Sequence, residues 1–413
     1  MLAVLATALM LSGCGSGSHR GRRAVSAAAA TVPTPTSLAT PAPIPVGTIC
    51  TCSGPLAGAL EVIRAWAESL NAAGGIGGHP VELFAADDHG SAVRSLAEVE
   101  QLVALDHVVA IVGETSAETA AWAGYVTAQH VPVIGGMSYT PPAATNPDFF
   151  PSGAPLAMQL VGAAALAREA GARSIGVVAC AGAGSCEQLV TLADGAAALE
   201  GVAKVTRVQP GRSRAADTRT CRALHGDGVD ALLLTSSAPG TLALLSACFH
   251  AGYAPLVTSY ISALPQSWLD QAQLGGTLIA GAYADPSDPT SEGLQQFRSA
   301  LARYAPKLLT ARHFSHQLIG PWAGGLLFAA AARAAGPQAA LTAAGIRKGL
   351  YALHDETLGG IAPPLHFAPG KAALVPCYFE AELSAGALEP LNDNKPRCLS
   401  PDQASALLKA VGQ

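Results

Sequence analysis

Residues 46–88 constrain the fold more than any other stretch. There an apolar strand, a Ser-Gly-Pro turn, a helical run, a glycine-rich stop and a second strand follow one another without a gap. Leu60, Ile63, Trp66 or Ala67, and Leu70 recur at helical spacing, and Asn71-Ala72-Ala73-Gly74-Gly75 supplies the glycines that end a helix. Val81, Leu83 and Ala85 then alternate as in a strand. The whole reads as one βαβ unit, the building block of a parallel sheet.

Strand followed by helix is then repeated along the chain. Short apolar runs at 108–112, 131–134, 174–179, 231–235, 256–259 and 278–282 are separated by Ala-rich helical stretches. Near-continuous apolar strands between helices argue for parallel sheets covered on both faces. With the leader set aside, about 370 residues remain, more than one ordinary domain and suited to two. The net charge is −5, with nothing resembling a nucleic-acid footprint.

The leader has its own logic. Residues 1–10 are apolar, and Leu11-Ser12-Gly13-Cys14 has the form of a lipoprotein box, in which cleavage leaves Cys14 as a lipidated N-terminus. No Lys or Arg precedes the apolar stretch, which leaves open a start upstream of Met1. The segment is too short to span a bilayer, which needs ~20 residues. Residues 15–45, rich in Ser, Gly, Ala, Thr and Pro and carrying only Arg20, Arg22 and Arg23, read as a disordered tether.

Of nine cysteines, eight remain after Cys14, an even number in an exported chain, so disulfides are expected. Cys180 and Cys186 flank a glycine-rich loop, Cys221 and Cys248 fall on successive helices, and Cys377 with Cys398 can tie the last strands to the tail. Cys50 and Cys52 point to one face of a strand and make an awkward mutual bridge. A CxC metal site is the alternative there, although no third ligand is visible. A catalytic thiol in the Cys180 loop is the alternative to its disulfide. Gly74-Gly75-Ile76-Gly77-Gly78 follows a helix without a Lys-Ser/Thr and reads as a turn, not a phosphate loop. His313 and His316 share a helical spacing but show no acidic partner nearby, and Arg207, Arg212, Arg214 and Arg219 read as a solvated helix edge.

The wording of these segments goes further than their pattern. SGPLAGALEVIRAWAESLNAAGGIGGHPVELFAADD (53–88) resembles the opening of the substrate-binding proteins of branched-chain amino acid ABC transporters, the type I periplasmic-binding-protein family. HVVAIVGETSAETA (107–120), VPVIGGMSYTPPA (131–143), NPDFFPSG (146–153) and LGGIAPPLHFAPGKAALVPCYFEAELSAGALEPL (358–391) are similar to later strands, ligand loops, the first crossover and the closing hairpin of that family. The resemblance implies an α/β fold of two doubly wound parallel-sheet lobes joined by a three-crossing hinge. Lobe one would comprise 46–154 and 285–354, lobe two 155–284 and 355–398, with a terminal helix in 399–413. It also implies a ligand held between the lobes by Ser53, Thr115, Ser116, Ala117, Met137, Ser138 and Tyr139 on one side and Ser237, Tyr260 and Tyr283 on the other. The expected role is that of a lipid-anchored, extracytoplasmic, monomeric receptor with no catalytic activity, cofactor or metal, whose partners are a small molecule and an ABC permease with its ATPases.

Lobe two departs from the family. Tyr260 stands where amino-acid-binding relatives carry the carboxylate that pairs with the ligand's ammonium, Ser237 matches a position that is often aromatic, and the Cys180 loop replaces a tyrosine-glycine. A buried ammonium without a carboxylate is costly. Glu118 or Asp285 can substitute, but a ligand with a carboxylate or amide and an apolar remainder is at least as well served, with Tyr139, Tyr260 and Tyr283 as walls. A sensor of the same fold and an exported enzyme are the other readings.

Overall fold

The computed structural model describes residues 41–137, 140–179, 185–310 and 315–410. Cys14 and the tether to residue 40, Ser138, Tyr139, Cys180 and His313 lie outside the described residues, as does any Cys180–Cys186 bridge.

The chain alternates strands and helices. The first half runs β1 (Ile44–Cys50), α1 (Ala59–Ala72), β2 (Val81–Asp87), α2 (Ala92–Ala104), β3 (Ile111–Val112), α3 (Thr119–Ala128), β4 (Val133–Ile134), α4 (Pro141–Thr145) and β5 (Phe149–Phe150). Then come α5 (Leu156–Glu169), β6 (Ser174–Val178), α6 (Ser185–Leu199), β7 (Lys204–Val208), α7 (Arg214–Gly226), β8 (Ala231–Leu234), α8 (Pro239–His250), β9 (Leu256–Tyr260) and β10 (Leu278–Gly281). The last part holds α9 (Glu292–Tyr304), α10 (Pro306–Thr310), α11 (Ile319–Ala335), α12 (Ala343–Tyr351), β11 (Cys377–Ser384), β12 (Ala387–Pro390), β13 (Arg397–Cys398) and α13 (Pro401–Ala410).

Two sheets result, and the protein is α/β. The first has the order β2-β1-β3-β4-β5, and the second the order β12-β11-β10-β9-β8-β6-β7 with β13 beside β11. All pairs in the first are parallel, as are those from β7 to β10, whereas β11, β12 and β13 add antiparallel. From β6 to β10 the second sheet repeats the strand order of the first, so each has a point where the winding reverses, β1/β3 in one and β6/β8 in the other.

Burial explains why each sheet is covered on both faces. Val112 packs with α1, α9 and α11, while its neighbour Ile111 packs with α2 and α3. In the second sheet Leu233 faces α5 and α6, and Leu232 and Leu234 face α7 and α8. Successive side chains in a strand point to opposite faces, so every residue of these short strands is apolar. Helix α1 buries Val62, Ile63, Trp66 and Leu70, and the Gly75 amide reaches back to the Leu70 carbonyl at 3.0 Å to close it. Among the described residues, 316–335 is the one helical stretch long and apolar enough to cross a membrane, and 72% of it is buried inside the protein, as a core helix is.

Four readings of the sequence change. Leu358, Ile361, Leu365 and Phe367 pack with α1 and α11 on the first sheet, not with the second lobe, and the chain enters the second sheet only at Cys377. Arg207 sits on the edge strand β7, where it pairs with Asp194 at 2.9 Å, instead of on a helix edge. His316 lies in a 3-10 turn and faces Asp285 at 3.9 Å, a carboxylate remote in sequence. Cys50 and Cys52 are bridged, because β1 ends at Cys50 and the Ser53 amide turns back to the Thr51 carbonyl, bringing the two Cα atoms to 5.1 Å. Asp87 supplies the third donor of a CxC metal site that was not visible in the sequence, but the two sulfurs are bonded to each other. Two further bridges join Cys221 to Cys248, between α7 and α8, and Cys377 to Cys398, between β11 and β13. Ser400 caps α13, its hydroxyl accepting from Gln403 N while Gln403 Oε1 accepts from Ser400 N.

One backbone contact sets the position of the first sheet's carboxyl ends. Gly324 of α11 lies against Gly113 and Gly135, which leave β3 and β4 with φ of +62° and +68°. A Cβ on Gly324 would stand 2.9 Å from Gly113 N and Cα and from the Ile134 carbonyl oxygen, all backbone atoms that cannot rotate away. Gly324→Ala is therefore expected to lower stability by about 1–3 kcal/mol in urea unfolding with the slope unchanged. A loss below about 0.5 kcal/mol would show that α11 is free to shift.

Candidate functional site

Where the first sheet reverses, four donors converge on one buried side chain. Asp88, fully buried after β2, accepts from Thr51 Oγ1 at 2.7 Å, Gly90 N at 2.8 Å, Ser95 Oγ at 3.0 Å and Ser116 Oγ at 2.5 Å. A carboxyl group survives burial only with such partners. The same hydroxyls serve the next helix: Thr51 Oγ1 accepts from Ala117 N at 3.0 Å and Ser116 Oγ from Glu118 N at 3.0 Å. The loops after β1, β2 and β3 are thereby tied into one rigid rim.

This rim changes the meaning of three expected ligand residues. Ser116 is fully buried with its hydroxyl engaged by Asp88, and the Ala117 amide is already satisfied, so neither is free to hold a carboxylate. Thr115 is buried and its Oγ1 has no hydrogen-bond partner. Ser53 and the Ala117 side chain are exposed on the same rim.

Beneath the rim, Glu114 is fully buried and its Oε2 accepts from Ser116 N at 2.9 Å. Burial, with the Asp88 charge adding to it, pushes its pKa from 4.5 up to about 8 against the lowering effect of backbone donors.

The second group of residues surrounds a pocket between the two sheets. Gly136 and Met137, after β4, and His316 and Gln317, before α11, line it from the first sheet's side. Ile261 and Ser262 after β9, Ala282 and Tyr283 after β10, and Gln159 in the first turn of α5 line it from the second. Counted with its open mouth, the space between these walls is about 340 Å³. Gln317 Nε2 donates across it to the Ser262 carbonyl at 3.3 Å. Tyr283 shares a hydrogen bond of 3.0 Å with Ser152, and burial raises its phenol to about 12, so it remains a hydroxyl. Burial holds His316 below its usual value against the opposing pull of Asp285. An adjoining cavity shares Ile261, Tyr283 and His316 and extends to Asp285, Phe379, Glu380 and Asn394.

Of the residues expected from sequence, the structure brings Met137 and Tyr283 together in this pocket. Tyr260 is buried in the core beside α5, its hydroxyl pKa raised by that burial, and lines neither cavity. Ser237 is exposed after β8. Gln159, His316 and Gln317 were not among the expected residues. A signal for Gln159 existed, since it is the one uncharged polar side chain inside the apolar run 156–167. His316 and Gln317 carry no comparable mark.

With this geometry in place, comparison with known proteins is direct. Residues 43–387 match the family described as Periplasmic binding protein, and the chain belongs to that family. An ABC-transporter substrate-binding protein from Aeropyrum pernix superposes with a TM-score of 0.72 at 16% identity, over 90% of this chain and 99% of its own. A branched-chain amino acid ABC transporter protein from Thermus thermophilus with bound valine gives 0.69 at 14% identity, over 89% and 98%. A substrate-binding protein from Desulfitobacterium hafniense in complex with Leu gives 0.69 at 16%, over 84% and 99%. No curated protein matches the sequence significantly. The family is one of extracytoplasmic, small-molecule-binding components of ABC transporters, not of enzymes.

Glu114 makes the rim sensitive to pH. The unfolded chain releases this proton near pH 4.5 and the folded chain near 8, so the group's contribution is full below the lower value and is lost as pH rises through the upper one. Glu114→Gln, which keeps an acceptor for Ser116 N, is expected to flatten this dependence. Relative to the parent it should gain ~1–3 kcal/mol between about pH 5 and pH 8.5 in denaturant unfolding. An equal pH profile for both chains would mean that Glu114 ionises normally.

Proposed function

We propose that this chain is the solute receptor of an ABC importer, anchored outside the cytoplasmic membrane through lipidated Cys14. In this reading two lobes, one on each sheet, close on a small ligand bearing a carboxylate or amide, such as an amino acid or organic acid. The observation that carries the reading is the pocket walled from both sheets by Met137, Gln159, Ser262, Tyr283 and Gln317, at the ends from which parallel strands deliver their loops. Ligand contacts from both walls favour the closed form over the open one, and this population shift is what a permease senses. The related structures with valine and leucine support a ligand of that size, while the burial of Tyr260 away from the pocket fits a ligand recognised differently on the second side.

Thermal unfolding of the disulfide-intact protein against amino acids, amides, aliphatic acids and aromatic acids tests it. A true ligand at a hundredfold excess over its Kd should stabilise the fold by about 2.7 kcal/mol. Silence across the panel would remove the small-solute reading and leave the fold without this role.

A further inference from the structure

Gln159 is 1% exposed and lines the pocket, and its two amide ends are unequal. Nε2 donates to the Ala154 carbonyl at 3.0 Å, which fixes the orientation of the amide, whereas Oε1 is buried without a hydrogen-bond partner. The Ala154 amide in turn donates to the Ala282 carbonyl at 3.1 Å, so Gln159 is tied to the strand end that carries Tyr283. A buried acceptor left unpaired is costly, and its natural complement is a donor on the ligand.

The surroundings narrow that donor. No acidic side chain lines this pocket among the described residues. Asp285, in the adjoining cavity, already accepts from both Ser287 N and Ser287 Oγ through Oδ1 and faces His316, and Glu380 faces the Arg397 guanidinium at 3.0 Å. An ammonium would be buried here without a counter-charge. A carboxylate, an acceptor only, can take the Tyr283 hydroxyl but sets its other oxygen against Gln159 Oε1 and leaves that oxygen unsatisfied. A neutral primary amide has what is needed: N–H groups for Gln159 Oε1 and a carbonyl for the Tyr283 hydroxyl, which Ser152 can hold as a donor.

We infer that Gln159 makes this pocket selective for a neutral carboxamide over the corresponding acid or amine. This rests on the solute-receptor reading and names the head group that the receptor takes.

Isothermal titration of the full chain with primary amides carrying tails from methyl to benzyl, each beside its acid, its amine and, where one exists, its amino acid, tests it. For the tails that bind, the amide should bind at least tenfold tighter than its acid and its amine. Gln159→Leu should cost the amide tenfold or more and change the acid less than threefold. Gln159→Glu, which supplies the missing carboxylate, should move the preference to the amine and shows that loss in the leucine variant is not misfolding. Tighter binding of acids or amino acids, or an amide affinity indifferent to Gln159→Leu, overturns the inference and leaves the receptor reading standing. Binding by none of the compounds overturns both.

Discussion

Parallel pairing of β1 with both β2 and β3 is the constraint from which the rest of this structure follows. Parallel strands need crossovers, and crossovers to the two sides of one strand put α1 on one face and α2 on the other. At the reversal the loops diverge and leave a crevice at the carboxyl ends. The second sheet repeats the strand order and so makes its own crevice. Two crevices with a pocket between them form a site that neither sheet encloses alone, which is why the lining comes from β4, α5, β9 and β10 together.

What was legible in the sequence follows from how locally each feature is determined. The runs at 174–179, 231–235, 256–259 and 278–282 became β6, β8, β9 and β10 almost residue for residue, because strands covered on both faces are largely apolar, although Thr258 and Ser259 place hydroxyls inside β9. β7, Lys204–Val208, escaped notice because it is an edge strand whose polar residues face water. β3 and β4 end where expected, at Val112 and Ile134, where Gly113 and Gly135 turn the chain against α11, but their pairing begins only at Ile111 and Val133. Residues 358–367 were assigned to the wrong sheet because an apolar run states that it is buried without stating against what.

The site was less legible for a related reason. Motif residues carry two kinds of work, and the sequence does not separate them. Ser116 was expected at the ligand, yet it joins Thr51 and Ser95 in bonding to Asp88, and together they hold the rim in shape. Their polarity answers the needs of a buried network, where every member must be satisfied. Cys50 and Cys52 add a covalent closure at the same rim. Gln159, by contrast, interrupts an apolar helix, and only the third dimension shows that it lines a pocket with its carbonyl oxygen buried and unpaired.

Rigidity of the rim and neutrality of the pocket are linked. A receptor that closes on its ligand gains selectivity only if its donors and acceptors stand still while the ligand's vary. The charged groups near the cleft have partners within the protein: Asp88 accepts from four donors, Asp285 Oδ1 accepts from Ser287, and Glu380 pairs with Arg397. What lines the pocket is a set of neutral polar groups, the amides of Gln159 and Gln317 and the Tyr283 phenol, mounted on elements from both sheets. Neutral groups lose little on meeting water in the open form and lose nothing on closure if the ligand matches them. The discrimination then lies in the ligands that fail to match, because each mismatch leaves a buried polar atom unpaired.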